Sequence, residues 1–204
     1  RDVAPSRGLG DVYKRQAMFP GGFSGLYKII AGAYRDDKNG PMQVVSGAVG
    51  HEKIHYEAPP ANMLQKEMNA LTDYINNDTE TDLIIKAGIV HLWFVIIHPF
   101  EDGNGRIARA LTDMLLARSE NSSNRFYSMS SQIKKVRKSY YEALKVTQNN
   151  SVDITEWLKW FLENLLCAIE NSEELLKNVW QKTEFWQKHK DLILNERQQK
   201  ILNK

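Results

Sequence analysis

The sequence predicts a mainly α-helical fold, in which a bundle packs around one buried central helix and carries a small β-hairpin. Residues 81–97 have apolar side chains on nearly every side, which is typical of a helix enclosed by other elements. Two short strand-like segments, 42–46 and 53–56, are joined by a glycine-containing loop, as in a β-hairpin. Most of the remaining periodic segments have the spacing of amphipathic helices.

The other elements follow in order along the chain. Residues 19–23 are rich in turn formers, and residues 24–33 form a short, weak segment that is either helical or extended. Residues 62–76 are amphipathic, and the central helix carries His91, which we interpret as a core histidine. Residues 131–148 predict another helix. The last and longest helix runs through Trp157 and Trp180, and Asp153 with Glu156 resembles its capping box.

The composition is that of an ordinary globular domain. Of the 204 residues, 42% are hydrophobic and 25% are charged, and the net charge is only +2, so neither nucleic acid nor a membrane surface is predicted as a partner. No run of about 18 apolar residues indicates a membrane span. The single cysteine, Cys167, is interpreted as a buried structural thiol, and we expect a cytoplasmic location.

The stretch richest in chemistry is residues 98–109, with a histidine, two carboxylates, two arginines, and two glycines around an asparagine. Gly103 and Gly105 allow the backbone to turn tightly and to approach a ligand closely. The apolar spacing from Ile107 onward predicts a helix, whose first N–H groups form an anion site. Arg106 and Arg109 lie in its first turn, where cations oppose the helix dipole, so they are predicted to face a bound anion or a carboxylate. The combination suits phosphate chemistry.

This stretch resembles the signature of the Fic (Fido) family, His-x-Phe-x-(Asp/Glu)-Gly-Asn-Gly-Arg-x-x-Arg. All fixed positions are matched, by His98, Phe100, Asp102, Gly103, Asn104, Gly105, Arg106 and Arg109. The resemblance implies a Fic-type helical bundle with a hairpin flap. It also implies an AMP-transferase, which moves AMP from ATP to a Ser, Thr or Tyr hydroxyl of a target protein.

Three regions are interpreted against this resemblance. Residues 1–16 are polar and aperiodic, and we interpret them as a leader that is not native to the protein. Residues 17–150 are predicted to form the Fic catalytic core, and residues 151–204 a C-terminal helical extension. The segment 194–198 is similar to one that leads into a winged-helix module in related proteins, so we expect the chain to be truncated before a further module.

Each residue of the motif has a predicted role. His98 has the pKa range that suits a general base, although a helix C-terminus favours its charged form, so a neighbouring network is expected to keep it neutral. Asp102 is predicted to hold Mg²⁺ as in the family pattern, and Phe100 to anchor the loop. The backbone N–H groups of Gly103, Asn104 and Gly105 are predicted to bind the phosphates with Arg106 and Arg109. Glu101 is expected to face solvent or to be structural.

Two further sets of residues are predicted to complete the site. The nucleoside pocket is expected to include Tyr140, Tyr141 and Gln148. In the family the hairpin borders the active site and docks the target by strand addition, which here assigns Val44, Val45, Ser46, Ile54, His55 and Tyr56 to target docking.

Several alternatives stay open. The same site suits removal of AMP, transfer of another phosphate-linked group, or a nucleotide-binding regulatory module. Gly105 favours AMP transfer, because a related kinase-like subgroup has Lys there. The family's inhibitory pattern, (Ser/Thr)-x-x-x-Glu-(Gly/Asn), is not matched anywhere in the sequence, so an inhibitory helix is expected in a missing N-terminal part or from a partner. A homodimer is also possible.

Overall fold

The computed structural model of the chain describes residues 19, 21–24, 27–30, 32–46, 51, 53–122, 125–149, 153–190 and 197–198. Two antiparallel hairpins come first. Strand β1 (Phe23–Ser24) pairs with β2 (Tyr27–Lys28), and β3 (Gln43–Ser46) pairs with β4 (Lys53–Glu57). The second pair confirms the predicted hairpin, whereas the first shows that this part of 24–33 is extended rather than helical.

Six α-helices follow in the described part of the chain, and they confirm a mainly α-helical bundle. They are α1 (Leu64–Asn77), α2 (Leu83–Ile97), α3 (Asn104–Ser119), α4 (Met129–Lys135), α5 (Arg137–Asn149) and α6 (Thr155–Lys188). Helix α2 is the central one, since it contacts α1, α3 and α6. The leader, residues 1–16, lies outside the described residues.

Helix α2 can be buried on all sides because its few polar groups are satisfied. Asp82 caps its start, accepting hydrogen bonds from the backbone N–H groups of Ile84 and Ile85. The fully buried Lys86 forms an ion pair with Asp78 at 2.8 Å. Gly88 allows α6 to approach closely, because a Cβ at this position would lie 3.0 Å from the Phe161 ring.

The C-terminal helices differ from the sequence expectations in three details. The predicted helix 131–148 is two helices, because the backbone leaves helical geometry at Val136 (φ −106°, ψ 31°). The predicted capping box does not form: Asp153 accepts from the Thr155 N–H, and helix α6 starts one residue after Ile154 without a side-chain cap. Cys167 is only partly buried.

Helix α6 contributes to the core through its first turns and then runs beyond it. Trp157, Phe161 and Leu165 belong to the same apolar cluster as α2, whereas Leu175, Val179 and Trp180 are exposed. The division between a catalytic core, 17–150, and a C-terminal extension, 151–204, stays a prediction. The hydrophobic core of the fold includes residues from the start of that extension. No helix among the described residues is long and apolar enough to cross a membrane.

Candidate active site

His98 lies at the end of α2, in the left-handed region of backbone conformation (φ 47°, ψ 55°). Pro99 follows it, and a residue before proline is disfavoured in the right-handed helical region, so the helix must end here. Left-handed backbone is uncommon for a residue other than glycine, although histidine adopts it more readily than most. The exit from α2 therefore carries the histidine out of the helix and towards the loop of the motif.

The protonation state of His98 follows from its contacts. Its Nδ1 lies 3.3 Å from the carbonyl oxygen of Val95, which can only accept, so Nδ1 carries the proton and Nε2 can accept one. Burial lowers the pKa of His98 below its ordinary 6.5, the Arg35 charge acts in the same direction, and the Val95 contact and Asp102 oppose it. The direction of this shift favours the neutral ring, as expected, and its largest cause is burial.

The loop of the motif is held in the core by Phe100 and Asn104. Phe100 is fully buried and packs against Tyr34 and Phe94, with ring centroids 5.6 and 6.3 Å apart. The Asn104 amide bridges the backbone of Phe100 in both directions, with its Oδ1 accepting from the N–H at 3.0 Å and its Nδ2 donating to the carbonyl at 2.6 Å. These contacts fix the turn that leads into α3.

The start of α3 has the geometry of an anion site. Gly103 adopts φ 86° as the residue before the helix, and its carbonyl accepts from the N–H groups of Arg106 and Ile107. The backbone N–H groups of Asn104 and Gly105 belong to the first turn of the helix, where no preceding helical carbonyl is available to accept from them. The Gly103 N–H, however, donates to Asp102 Oδ1 at 2.5 Å, so that one of the three predicted phosphate donors is already paired in this conformation.

The two carboxylates of the motif connect it to the N-terminal hairpin. Ser24 donates a hydrogen bond to Asp102 Oδ2, and the backbone N–H of Ile30 donates to Glu101 Oε2 at 2.6 Å. Glu101 therefore has the structural role that was one of its two expectations. The contacts of Ser24 and Ile30 could not be predicted, because they join positions more than seventy residues apart in sequence.

A cavity of about 580 Å³ opens beside the motif. Its walls come from β3, β4, the end of α2, the start of α3, and α5. Eleven residues predicted for the site line it, namely Val44, Val45, Ser46, His55, Tyr56, His98, Gly105, Arg109, Tyr140, Tyr141 and Gln148. The structure thus brings the predicted base, part of the predicted phosphate site, the predicted nucleoside residues and most of the hairpin residues to one place.

Some predicted residues lie outside this cavity. Ile54 does not line it and is 55% exposed. The guanidinium of Arg106 lies 4.7 Å from the centre of the Phe19 ring and 3.7 Å from Asp102 Oδ2. Arg109 is the motif arginine that lines the cavity, and a Cβ on Gly105 would meet its Nη1 at 3.4 Å. No carboxylate among the described residues forms an ion pair with Arg109.

The sequence did not predict the charged residues of α5 at this cavity. Arg137, Lys138 and Lys145 line it together with Glu142, and the Arg137 guanidinium lies 5.6 Å from the centre of the Tyr141 ring. A helical signal was present, since Arg137, Tyr141 and Lys145 are spaced four residues apart. The cavity is therefore positively charged on balance, which suits an anionic ligand.

Tyr56 has a second role besides lining the cavity. Its hydroxyl donates to the carbonyl of Ile96 at 2.9 Å, and burial raises the pKa of this hydroxyl to about 12. The contact fastens β4 to the last turn of α2, directly before His98. Tyr56 thus holds the hairpin against the bundle, which the assignment to target docking did not anticipate.

His91 contacts Tyr140, which lines the cavity, and the tautomer of His91 can be assigned. The Thr112 hydroxyl donates to the Ala108 carbonyl, so it accepts from Nδ1 of His91 at 2.9 Å. Nε2 of the neutral ring then accepts from the Tyr140 hydroxyl at 3.0 Å. His91 is fully buried, which confirms it as a core histidine, and it fixes a tyrosine that faces the cavity.

We expect His91 to make the protein less stable in acid. Burial, with a smaller contribution from the Arg109 charge, lowers the pKa of His91 from 6.5 to about 3. Below pH 6.5 the unfolded chain binds a proton that the folded chain excludes, so the free energy of unfolding decreases by up to about 1.4 kcal/mol per pH unit. His91→Gln keeps a donor and an acceptor but does not titrate. Urea unfolding of both proteins between pH 7 and pH 4 should give the shallower pH dependence for the variant, and parallel curves would contradict the assignment.

Comparison with known proteins agrees with the motif and the fold. A family model described as the Fic/DOC family matches residues 11–116. A probable protein adenylyltransferase of Aquifex aeolicus (strain VF5) is 33% identical over 61 residues, which cover 30% of this chain and 19% of that protein. The protein adenylyltransferase Fic of Nematostella vectensis is 46% identical over 63 residues, covering 29% of this chain and 15% of that protein.

Solved structures show the same fold. A Fic family protein from Desulfovibrio desulfuricans G20 superposes with a TM-score of 0.66 at 25% identity, covering 82% of this chain and 47% of that one. Fic-1 from C. elegans gives a TM-score of 0.59 at 21% identity, with 82% and 43% covered. The chain spans less than a fifth of these curated relatives and about half of these solved chains. Since the family match extends over more than half of its residues, the chain belongs to the Fic/DOC family.

Proposed function

We propose that this domain is a protein adenylyltransferase, which transfers AMP from Mg-ATP to a Ser, Thr or Tyr hydroxyl of a target protein. The observation that carries the proposal is that His98, Gly105 and Arg109 line one cavity. The pKa of His98 is lowered, which favours the neutral ring, Gly105 lies at a helix N-terminus, and Arg109 has no ion pair among the described residues. A base and a phosphate site that share a cavity are what nucleotidyl transfer needs. The names of the relatives above agree with this activity.

The reaction can be written in terms of residues of this chain. The target hydroxyl oxygen attacks the α-phosphorus of ATP, the bond from that phosphorus to the bridging oxygen breaks, and pyrophosphate leaves. Nε2 of His98 accepts the proton that the hydroxyl loses. The amides of Asn104 and Gly105 and the guanidinium of Arg109 stabilise the charge on the phosphates. Tyr140, Tyr141 and Gln148 hold the nucleoside.

Asp102 is the residue that fits a magnesium ion. Its side chain is 44% exposed beside the start of α3. No cluster of three or more His, Cys, Asp or Glu side chains occurs among the described residues, so a metal held by the protein alone is not indicated for that part of the chain. Mg²⁺ that arrives on ATP needs only one or two protein carboxylates, and it would neutralise phosphate charge there. Ser24 and the Gly103 N–H orient this carboxylate.

The hairpin β3–β4 is proposed to dock the target. Within the described residues its two strands pair only with each other, so each has an edge able to accept an extended segment. Val45 and Ile54 are cross-strand neighbours with 46% and 55% of their surfaces exposed. We also propose that a carboxylate from outside the described residues inhibits the domain by pairing with Arg109. This arginine lines the cavity and has no ion pair among the described residues.

Labelled ATP tests which group is transferred. The protein is incubated with Mg²⁺, a nucleotide-depleted cell extract, and ATP that carries the label on either the α- or the γ-phosphate. Relative to the same extract without this protein, we expect additional protein-bound label from α-labelled ATP only, since AMP retains the α-phosphate. Additional label from γ-labelled ATP only would replace the proposal with phosphoryl transfer, and no additional label from either would contradict both.

A further inference from the structure

Arg35 is a buried charged residue that the motif does not include. It lies in the connection between β2 and β3, and its side chain is only 1% exposed. A charged side chain is almost never buried to this extent unless it is paired and hydrogen-bonded. Its contacts therefore indicate what it is retained for.

The guanidinium of Arg35 joins the motif to the end of the hairpin. Its Nε donates to the carbonyl oxygen of His98 at 2.9 Å, and its Nη2 donates to the carbonyl of Pro59. The backbone N–H of Arg35 donates to the carbonyl of Pro99 at 2.9 Å. Arg35 thus donates hydrogen bonds to two consecutive carbonyls of the motif and connects them to the segment that follows β4.

Asp37 fixes the orientation of this guanidinium. Its Oδ1 lies 2.6 Å from Nη1 of Arg35, and its Oδ2 accepts from the backbone N–H of Ala61 at 2.5 Å. The planar fork of arginine allows three acceptors to be held at once in fixed directions, which a lysine ammonium on a flexible stem cannot reproduce. The arrangement is specific to arginine at position 35.

The hydrogen bond from Arg35 to the His98 carbonyl constrains the backbone at the end of α2. The carbonyl of His98 is one of the last carbonyls at the end of α2, and the helix offers no N–H donor to these carbonyls. His98 also adopts left-handed backbone, a strained conformation that persists only where the surrounding structure enforces it. A hydrogen bond from a buried guanidinium to this carbonyl holds the peptide plane after His98, and so limits the backbone from which the imidazole ring projects.

We propose that Arg35 is a positioning residue, which fixes the backbone of His98 so that Nδ1 stays on the Val95 carbonyl and Nε2 faces the cavity. Its part in catalysis rests on the proposed function, whereas its control of the His98 ring does not. Through Pro59 and Asp37 the same side chain also holds the end of the hairpin, so that base and hairpin keep a fixed relation.

The test compares two arginine variants. Arg35→Lys keeps the charge but loses the fork. The control is Arg125→Lys, since Arg125 is also a largely buried arginine in an ion pair, with Asp113 at 2.7 Å, and it does not line the cavity. We expect both variants to fold, with comparable losses of thermal stability. Only Arg35→Lys should change the His98 ring and lower kcat, by about 10- to 100-fold at nearly constant KM for ATP, because a misplaced base costs rate rather than ground-state binding.

The ring itself is read by nitrogen-15 NMR of labelled histidine, which needs no activity. The wild-type protein should show His98 as the single tautomer with the proton on Nδ1, and Arg35→Lys should show averaging between the two tautomers. An unchanged His98 spectrum in folded Arg35→Lys would overturn the inference. If the ring responds as expected but the wild-type protein transfers no AMP, the proposed function fails and the positioning role stands.

Discussion

Replacing His98 by Ala should lower the rate of AMP transfer by about 10²- to 10⁴-fold, the range that a positioned general base contributes. ATP affinity should change little, because the phosphates are predicted to bind at the start of α3 and at Arg109, and His98 is predicted to meet the proton of the target hydroxyl. Single-turnover transfer measures the first quantity and calorimetric titration with Mg-ATP the second.

The matched control for this variant is His189→Ala. His189 is exposed at the end of α6 and does not line the cavity, so its removal should leave the transfer rate unchanged. Equal transfer by His98→Ala and the wild-type protein would remove His98 from the mechanism. A loss of ATP binding equal to the loss of rate would instead give His98 a role in holding the nucleotide.

The second large effect concerns stability. Trp157→Ala should lower the free energy of unfolding by about 3–5 kcal/mol, as expected for truncation of a large buried aromatic residue. Trp157 is fully buried, its Nε1 donates to the carbonyl of Gly88 at 2.9 Å, and its ring stacks on Trp160 at 5.3 Å. The variant loses this packing and also the hydrogen bond from the indole to the carbonyl of Gly88.

Helix α6 supplies its own control. Trp180 is the same residue type in the same helix but is 74% exposed, so Trp180→Ala should change the free energy of unfolding by no more than about 0.5 kcal/mol. Urea denaturation followed by circular dichroism measures both variants. Similar values for the two would mean that α6 does not pack on the bundle in solution, and that the predicted division at residue 150 is also the limit of the folded core.

The sequence predicted the features that depend on local pattern. Helix α2 was predicted within two residues, because its apolar side chains are continuous, and the turn at Gly103 was predicted because the motif and the helix after it are contiguous. The break at Val136 was missed, since the apolar spacing of 131–148 continues across it. The capping box at Asp153 was also predicted from local pattern and does not form. Asp153 accepts from the N–H of Thr155, two residues on, whereas the capping-box pattern assumes the N–H three residues on.

Contacts between distant parts of the chain could not be predicted. Arg35 meets the His98 carbonyl across 63 positions, and Ser24 meets Asp102 across 78. No periodicity links such residues, because their proximity depends on how the N-terminal segments lie against the bundle. The neutral state of His98 was expected, but its main cause, burial, was not, because burial is a property of the assembled cavity and cannot be inferred from position in the sequence.

The central claim is that this domain attaches AMP to a hydroxyl group by means of His98. Intact-mass spectrometry of the purified chain after incubation with Mg-ATP tests it most directly, with fragmentation to locate the modified residue. We predict a gain of one AMP on a Ser, Thr or Tyr in the wild-type protein and no gain in His98→Ala. An unchanged wild-type mass under conditions where calorimetry shows bound Mg-ATP, or the same gain in His98→Ala, would contradict the claim.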